Sequence, residues 1–385
     1  MTRTLTRIAV ALLLVTIVAL TVVGMLKSKE LRTYQSFPVG VMGTDCAIQV
    51  VAPGGNPDLA RRALAAAEAE LRKVESRMSV KVDWTEVSHL NAARAGEHVS
   101  LSEDSLAVLS AARQAVTDTG GAFDVTCRPI IEIWKQAGKM GQMPTAEQLA
   151  QARAQSSWDQ IVLEPDGATK TADTACVDLG GLAKGYAADR AAAAMMAQGA
   201  RSGIAQAGGD TRCFGTRPNG QLWHIGIRNP FAPQSQELLA TLEISSGGVC
   251  TSGNYFRYTE IGGHRFSHII DPRPGPHVGT PADAAASVTV VAPMAITADI
   301  WATALSVLGA DGFRLLPADG SIQAMIVQGD VNDYQVDMTE GFAKLLVGGE
   351  EGLSLHRSSH APASQPGSAE RAEHTASSTH PSSGG

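Results

Sequence analysis

The chain has 385 residues, 44% of them hydrophobic, and a net charge of −7, enough apolar content for a full core in one large domain or two. The acidic balance, with no aromatic residues interleaved among basic ones, excludes a nucleic-acid partner. Five cysteines, Cys46, Cys127, Cys176, Cys213 and Cys250, form no C-x-x-C pair and make an odd, scattered set. That argues against a zinc or redox motif and against a disulfide framework, and leaves at most one bridge whose partners the spacing does not select.

Residues 8–26 form an unbroken apolar or small run behind Arg3 and Arg7, long enough for a bilayer span. No small-x-small cleavage site precedes Lys27, so the run reads as an uncleaved anchor, with a cleaved signal peptide as the alternative. Arg3 and Arg7 favour a cytoplasmic N-terminus, although Lys27, Lys29 and Arg32 weaken that signal. Residues 1–26 are thus the predicted transmembrane helix, 27–38 a linker, 39–347 the catalytic-sized domain and 348–385 a tail. The tail is rich in Ser, Ala, Pro and His, a composition expected to be disordered. His356, His360, His374 and His380 lie in it; a solvated tail is the plain reading and metal binding the alternative.

Within the domain, residues 39–51 predict a strand that contains Met42-Gly43-Thr44. A turn at 53–57 follows, then a helix to about residue 77 capped by Asp58. A second helix is predicted over 103–117 with Ser102 as its cap, ended by Gly120-Gly121 and leading into a strand-like 122–126. Residues 136–157 read as a helical insertion. Strands are predicted at 160–163, 203–207, 223–227, 239–244, 287–291 and 323–327. Residues 256–270 read as a hairpin turning at Ile261-Gly262-Gly263-His264, and 298–308 as a buried helix. Strands and helices follow no regular β-α alternation, which gives an α+β fold rather than a doubly wound one.

The densest chemistry lies in Asp178-Leu179-Gly180-Gly181-Leu182-Ala183-Lys184-Gly185, ahead of an Ala-rich helical run. Glycine backbone near a helix start admits phosphate oxygens closely. Lys184 adds a point charge, and Asp178 can accept a hydrogen bond or help hold a cation. The spacing fits neither standard nucleotide-binding glycine pattern, and a tight turn before a core helix is the plain alternative. Gly121-Ala122-Phe123-Asp124 and Gln206-Ala207-Gly208-Gly209-Asp210 likewise suit close backbone approach, or simple turns. His268 precedes Asp271-Pro272-Arg273; it is a candidate general base, its ordinary pKa of ~6.5 lying near working pH. The alternative there is an Asp271–Arg273 ion pair with His268 as an ordinary side chain. Asp299 and Thr303 lie one helical turn apart in an apolar segment, so their oxygens share a face. A hard cation such as Mg²⁺ takes that oxygen set; the alternative is capping and back-bonding within the helix.

In this order, the segments around Met42, Gly121–Thr126, Asp178–Asp189, Gly208–Asp210, Thr251-Ser252-Gly253, His268–Gly275 and Asp299–Thr303 resemble the ApbE family of FAD:protein FMN transferases. The resemblance implies a single large α+β flavin transferase domain with mixed sheets and packed helices. It implies an enzyme that uses Mg²⁺, cleaves the FAD pyrophosphate, and passes FMN to a Thr or Ser hydroxyl of a target protein while AMP leaves. The target would carry an Asp-x-x-Gly-Ala-Thr/Ser-like motif, as in membrane electron-transfer complexes. The location implied is the bacterial inner membrane, single-pass, with the domain facing the periplasm. By position, Met42, Ala122, Phe123, Asp124, Asp178, Lys184 and Ile270 would line the FAD site. Asp299, Thr303 and the carbonyl of Gly181 would hold Mg²⁺, and His268 would deprotonate the acceptor. Two alternatives stay open: an FAD pyrophosphatase that releases FMN and AMP, and a flavin-binding accessory protein without turnover.

The chain departs from the family pattern at Pro274, where many members have Thr, and at Lys81, where an aromatic is frequent and Trp84 is the nearest substitute. Asp118-Thr119-Gly120-Gly121-Ala122 approaches the acceptor motif, but Phe123 fills the acceptor position, so no self-flavinylation is expected there.

Overall fold

Burial alternates along the central strands, as it must when a sheet is covered on both faces. In Cys46–Pro53, Ile48, Val50 and Ala52 join one core while Val51 joins another; in Ala285–Ala292, Val288 and Val290 oppose Val291 in the same way. The computed structural model describes residues 14–17, 30–232, 234–253, 258–261, 264–273, 285–349 and 353.

The strands are β1 (Leu31–Ser36), β2 (Cys46–Pro53), β3 (His98–Ser100), β4 (Ile161–Glu164), β5 (Gly167–Lys170), β6 (Gly203–Ala207), β7 (Asp210–Phe214), β8 (Trp223–Arg228), β9 (Leu238–Ile244), β10 (Gly247–Gly253), β11 (Tyr258–Ile261), β12 (His264–Ser267), β13 (Ala285–Ala292), β14 (Gln323–Gly329) and β15 (Tyr334–Met338). The helices are α1 (Pro57–Met78), α2 (Glu86–Ala92), α3 (Glu103–Asp118), α4 (Arg128–Met140), α5 (Ala146–Ala154), α6 (Ala183–Ala197), α7 (Ala295–Leu308) and α8 (Glu340–Ala343).

The main sheet has the order β1-β2-β6-β7-β10-β13-β14-β15. Every pairing described in it is antiparallel, so its strands are not mixed in direction. One face carries α1, α6 and α7. The other carries the β8–β9 ribbon and α8, whose Phe342 is buried among Leu239, Leu242 and Met325. A satellite core of Ile130, Trp134, Ile261 and Phe266 joins α4 to the β11–β12 hairpin, with Trp134 and Phe266 ring centroids 5.3 Å apart.

Local chemistry explains the elements. α1 buries Ala60, Ala63, Ala67, Leu71, Val74 and Met78 on one stripe. Its cap is Asn56, whose side chain accepts from Leu59 N at 3.2 Å; Asp58 sits in the first turn instead. Ser102 caps α3 as expected. Residues 122–126 are not a strand: the Asp124 carboxylate accepts from Thr126 N and winds Val125–Cys127 into a 3₁₀ turn. The strand expected over 39–51 starts only at Cys46. Before it, Met42 (φ 55°) and Gly43 (φ 62°) form a reversed turn closed by Thr44 N donating to Val41 O. Residues 31–36 pair as edge strand β1, and β7 and β10 extend the sheet beyond the strands expected.

All five cysteines are free thiols. Of residues 8–26 only 14–17 are described, and they are helical; the remainder of the anchor, Pro274 and the His-containing tail lie outside the described residues. Among the described residues no helix is long and apolar enough to cross a membrane.

α6 crosses α7 at Gly185, where there is no room for a side chain. A Cβ there would stand 2.4 Å from Ala295 O and 2.9 Å from Asp299 Cβ. Gly185→Ala is therefore expected to destabilise the protein by about 1–3 kcal/mol, the usual range for overpacking, read as a lower denaturant midpoint. An unchanged midpoint would mean that the helices part without strain.

Candidate active site

The Gly185 crossing sets two helix faces against each other and brings together side chains distant in sequence. Lys184 Nζ donates to Asp210 Oδ2 and lies 3.4 Å from Asp299 Oδ2. Gly185 N donates to Asp299 Oδ2 at 3.0 Å. The first turn of α6 thus points an N–H at a carboxylate of this chain, as helix dipoles favour. Asp210 follows the β6–β7 turn, where Gly208 (φ 62°) and Gly209 (φ 97°) adopt backbone suited to glycine. Gly208 also abuts Thr44, whose Oγ1 would be 2.7 Å from an added Cβ, so the 41–44 and 207–210 turns pack together.

Asp299 and Asp210 are 2% and 1% exposed, and one ammonium serves both. Burial first, then the charge of Asp210, push the Asp299 carboxyl up from its ordinary value. Burial opposes the charge on Lys184, but Asp210 and Asp299 outweigh it and hold the ammonium above its usual range. With both carboxylates ionised the cluster has one negative charge more than Lys184 supplies, and buried charge of that kind calls for a cation.

Thr303 lies one turn beyond Asp299 on α7, its Oγ1 3.5 Å from Ser252 Oγ. Gly181 lies against it: an added Cβ would stand 3.3 Å from Thr303 Oγ1 and 3.0 Å from Phe123 Cε2. The Asp299 carboxylate, the Thr303 hydroxyl and the Gly181 backbone are an all-oxygen set beside surplus negative charge, which fits Mg²⁺. Among the described residues no group of three or more His, Cys, Asp or Glu forms a metal cluster.

Facing this wall, the Asp178 carboxylate accepts from Gly180 N at 2.9 Å, and Asp178 N donates to Val125 O at 2.8 Å. Asp124 accepts from both Thr126 N and Oγ1, and burial pushes its carboxyl up. One cavity of about 1440 Å³ is lined by Met42, Ala122, Phe123, Asp124, Asp178, Gly181, Lys184, His268, Ile270, Asp299 and Thr303, so the residues expected to bind FAD, hold the cation or act as base all border it. His268 is exposed on the segment after β12. Asp271 and Arg273 form a bidentate pair at 2.8 and 2.9 Å and do not line the cavity. Lys81 and Trp84 do line it, Trp84 being 63% exposed.

Sequence reasoning assigned no role to Asp210, Ser252 or Trp134, which also border the cavity or its charged wall. The signal for Asp210 was present: an acid directly after Gly208-Gly209 at the end of a buried strand. Lys184 is also less free than its motif suggests, since two carboxylates already claim it.

The raised Asp299 pKa has a stability consequence. A carboxyl with a higher pKa folded than unfolded binds protons preferentially when folded, so stability falls as pH rises between the two values. Metal-free protein should therefore lose melting temperature as pH rises from about 4 to about 7, the span between the ordinary carboxyl value and that of buried Asp299, and Asp299→Asn should flatten that decline. Parallel profiles for the two proteins would remove the buried charge surplus from the account.

The chain is similar to known proteins in both sequence and fold. A sequence model of the ApbE family matches residues 42–326. An "FAD:protein FMN transferase" of Vibrio cholerae is 31% identical over 263 residues, 68% of this chain and 78% of that protein. One of Haemophilus influenzae is 29% identical over 311 residues, 79% and 89% of the two chains. The solved "Flavin Transferase ApbE from Vibrio cholerae" superposes with a TM-score of 0.67 at 26% identity, covering 82% of this chain and 100% of that one. An ApbE protein of Thermotoga maritima gives 0.69 at 27% identity, with 82% and 99% covered. With the family match spanning most of the chain and the same architecture in solved members, this chain belongs to the ApbE family.

Proposed function

We propose that this chain transfers FMN from FAD to a Thr or Ser hydroxyl of an acceptor protein through a phosphoester bond, releasing AMP, with Mg²⁺ held by Asp299, Thr303 and the Gly181 carbonyl. The chain is a transferase of its family, whose curated relatives are named for FAD and FMN. The observation that carries the reading is the buried surplus charge of Asp299 and Asp210 over Lys184, in one cavity with glycine-rich backbone and His268.

Met42, Ala122, Phe123, Asp124, Asp178, Lys184 and Ile270 line the FAD site in this reading. The cation, when bound, would neutralise charge on the pyrophosphate oxygens. His268 takes the acceptor hydroxyl's proton as its oxygen attacks the FMN phosphorus. The bond from that phosphorus to the bridging oxygen breaks, and AMP departs with the bridging oxygen. The acceptor would carry an Asp-x-x-Gly-Ala-Thr/Ser-like segment. The apolar run 8–26 supports an inner-membrane anchor, with the domain in the periplasm.

The test combines purified protein, FAD, Mg²⁺ and a small protein bearing such a segment, read by the acceptor's intact mass. A gain of one FMN less water, with AMP released, is expected. Free FMN and AMP beside unmodified acceptor would instead assign a pyrophosphatase, and intact FAD a binding role.

Two variants sharpen this. Asp299→Ala should lower FAD cleavage by at least about a hundredfold with the fold retained; normal turnover in Mg²⁺ would reject the metal assignment. His268→Ala should slow transfer by roughly 10²–10⁴-fold while FAD affinity holds. Equal loss of transfer and binding would recast His268 as a binding residue.

A further inference from the structure

One buried carboxylate near the site has no part in the chemistry above. Asp189 lies one turn beyond Gly185 on α6 and accepts from Ala295 N and Ile296 N, both at 2.9 Å. Those N–H groups belong to the first turn of α7, where they lack partners inside their own helix. The residue at the cap position of α7, Met294, supplies no side-chain bond. A side chain from one helix therefore caps another. Arg212 Nε holds the Asp189 carboxylate at 3.2 Å, with the Asp189 side chain 4% exposed.

The pattern is doubled. Asp210 and Arg212 alternate on β7, so both project from one face of the strand. Asp210 meets Lys184 and Arg212 meets Asp189, one ion pair on each of the first two turns of α6. On α7, Ala295 is tied to Asp189, and Asp299, one turn on, is tied to Gly185 N. A Ser or Thr at position 294 would cap α7 without burying a charge. A carboxylate reaching across from α6 does something a local cap does not: it fixes the height of α7 against α6.

We infer that Asp189, braced by Arg212, is a positioning residue for the cation site: it sets where α7 presents Asp299 and Thr303 opposite Gly181. The inference rests on the proposed metal reading and extends it to residues that would not touch the ion. Outer partners that orient metal ligands typically change affinity by about 10–100-fold when lost.

The test is Mn²⁺ binding to the full-length protein without FAD, followed by electron paramagnetic resonance for wild type, Asp299→Ala, Asp189→Asn and Arg212→Gln. FAD affinity without metal is measured beside it. Asp299→Ala should abolish Mn²⁺ binding. Asp189→Asn should weaken it by about tenfold or more, and Arg212→Gln in the same direction by less, with FAD affinity within about twofold of wild type. Wild-type Mn²⁺ affinity in Asp189→Asn would overturn the inference alone, as would equal losses of Mn²⁺ and FAD affinity, which would mark a general loosening. Should Asp189→Asn not fold, Arg212→Gln is judged by the same two outcomes. If Asp299→Ala kept Mn²⁺, the metal reading itself would fall, and this inference with it.

Discussion

A missing side chain organises this molecule. Because Gly185 leaves no Cβ between α6 and the Ala295 carbonyl, the two helices approach until a backbone N–H of one meets the Asp299 carboxylate of the other. That contact buries Asp299 beside Asp210, with a single ammonium between them. The charge surplus follows from packing. The all-oxygen cation site and the pyrophosphate chemistry proposed above rest on that surplus.

The rest of the cavity is shaped to leave that wall accessible. Two reversed turns, at Met42-Gly43 and Gly208-Gly209, bring glycine backbone into its lining. Met42 is the one described non-glycine residue with positive φ, and strained backbone of this kind tends to gather at ligand sites. The opposite wall rests on a different core, where Trp134 packs on Phe266 just ahead of His268. The group assigned to the acceptor and the groups assigned to the phosphates thus sit on separately packed elements. Substitutions in the satellite core therefore have a route to the acceptor side that bypasses the helix crossing.

Much of this was legible in the sequence where the signal was local. Ser102 before a periodic run marked α3, and the spacing of Asp299 and Thr303 placed both on one helix face. Near-local competition misled at α1, where Asn56 and Asp58 are both good caps and Pro57 at the first helical position favours Asn56. At Asp124 the side chain's bond to Thr126 N replaced an extended backbone with a turn. Strand β7 was hidden because Gly208-Gly209 before it also suits a simple turn. What no local pattern carried was the long-range pairing. Lys184 meets carboxylates 26 and 115 residues away, and Asp189 caps a helix 106 residues on. The resemblance put Lys184 and Asp299 at one site but gave Asp210 and Asp189 no role.

The most direct measurement is the anomalous scattering of Mn²⁺ in crystals grown with FAD. The account predicts one peak bonded to the Asp299 carboxylate, the Thr303 hydroxyl and the Gly181 carbonyl, with the FAD pyrophosphate in contact with it. Mn²⁺ bound elsewhere, with Asp299 still held only by Lys184 and Gly185 while FAD fills the cavity, would contradict it.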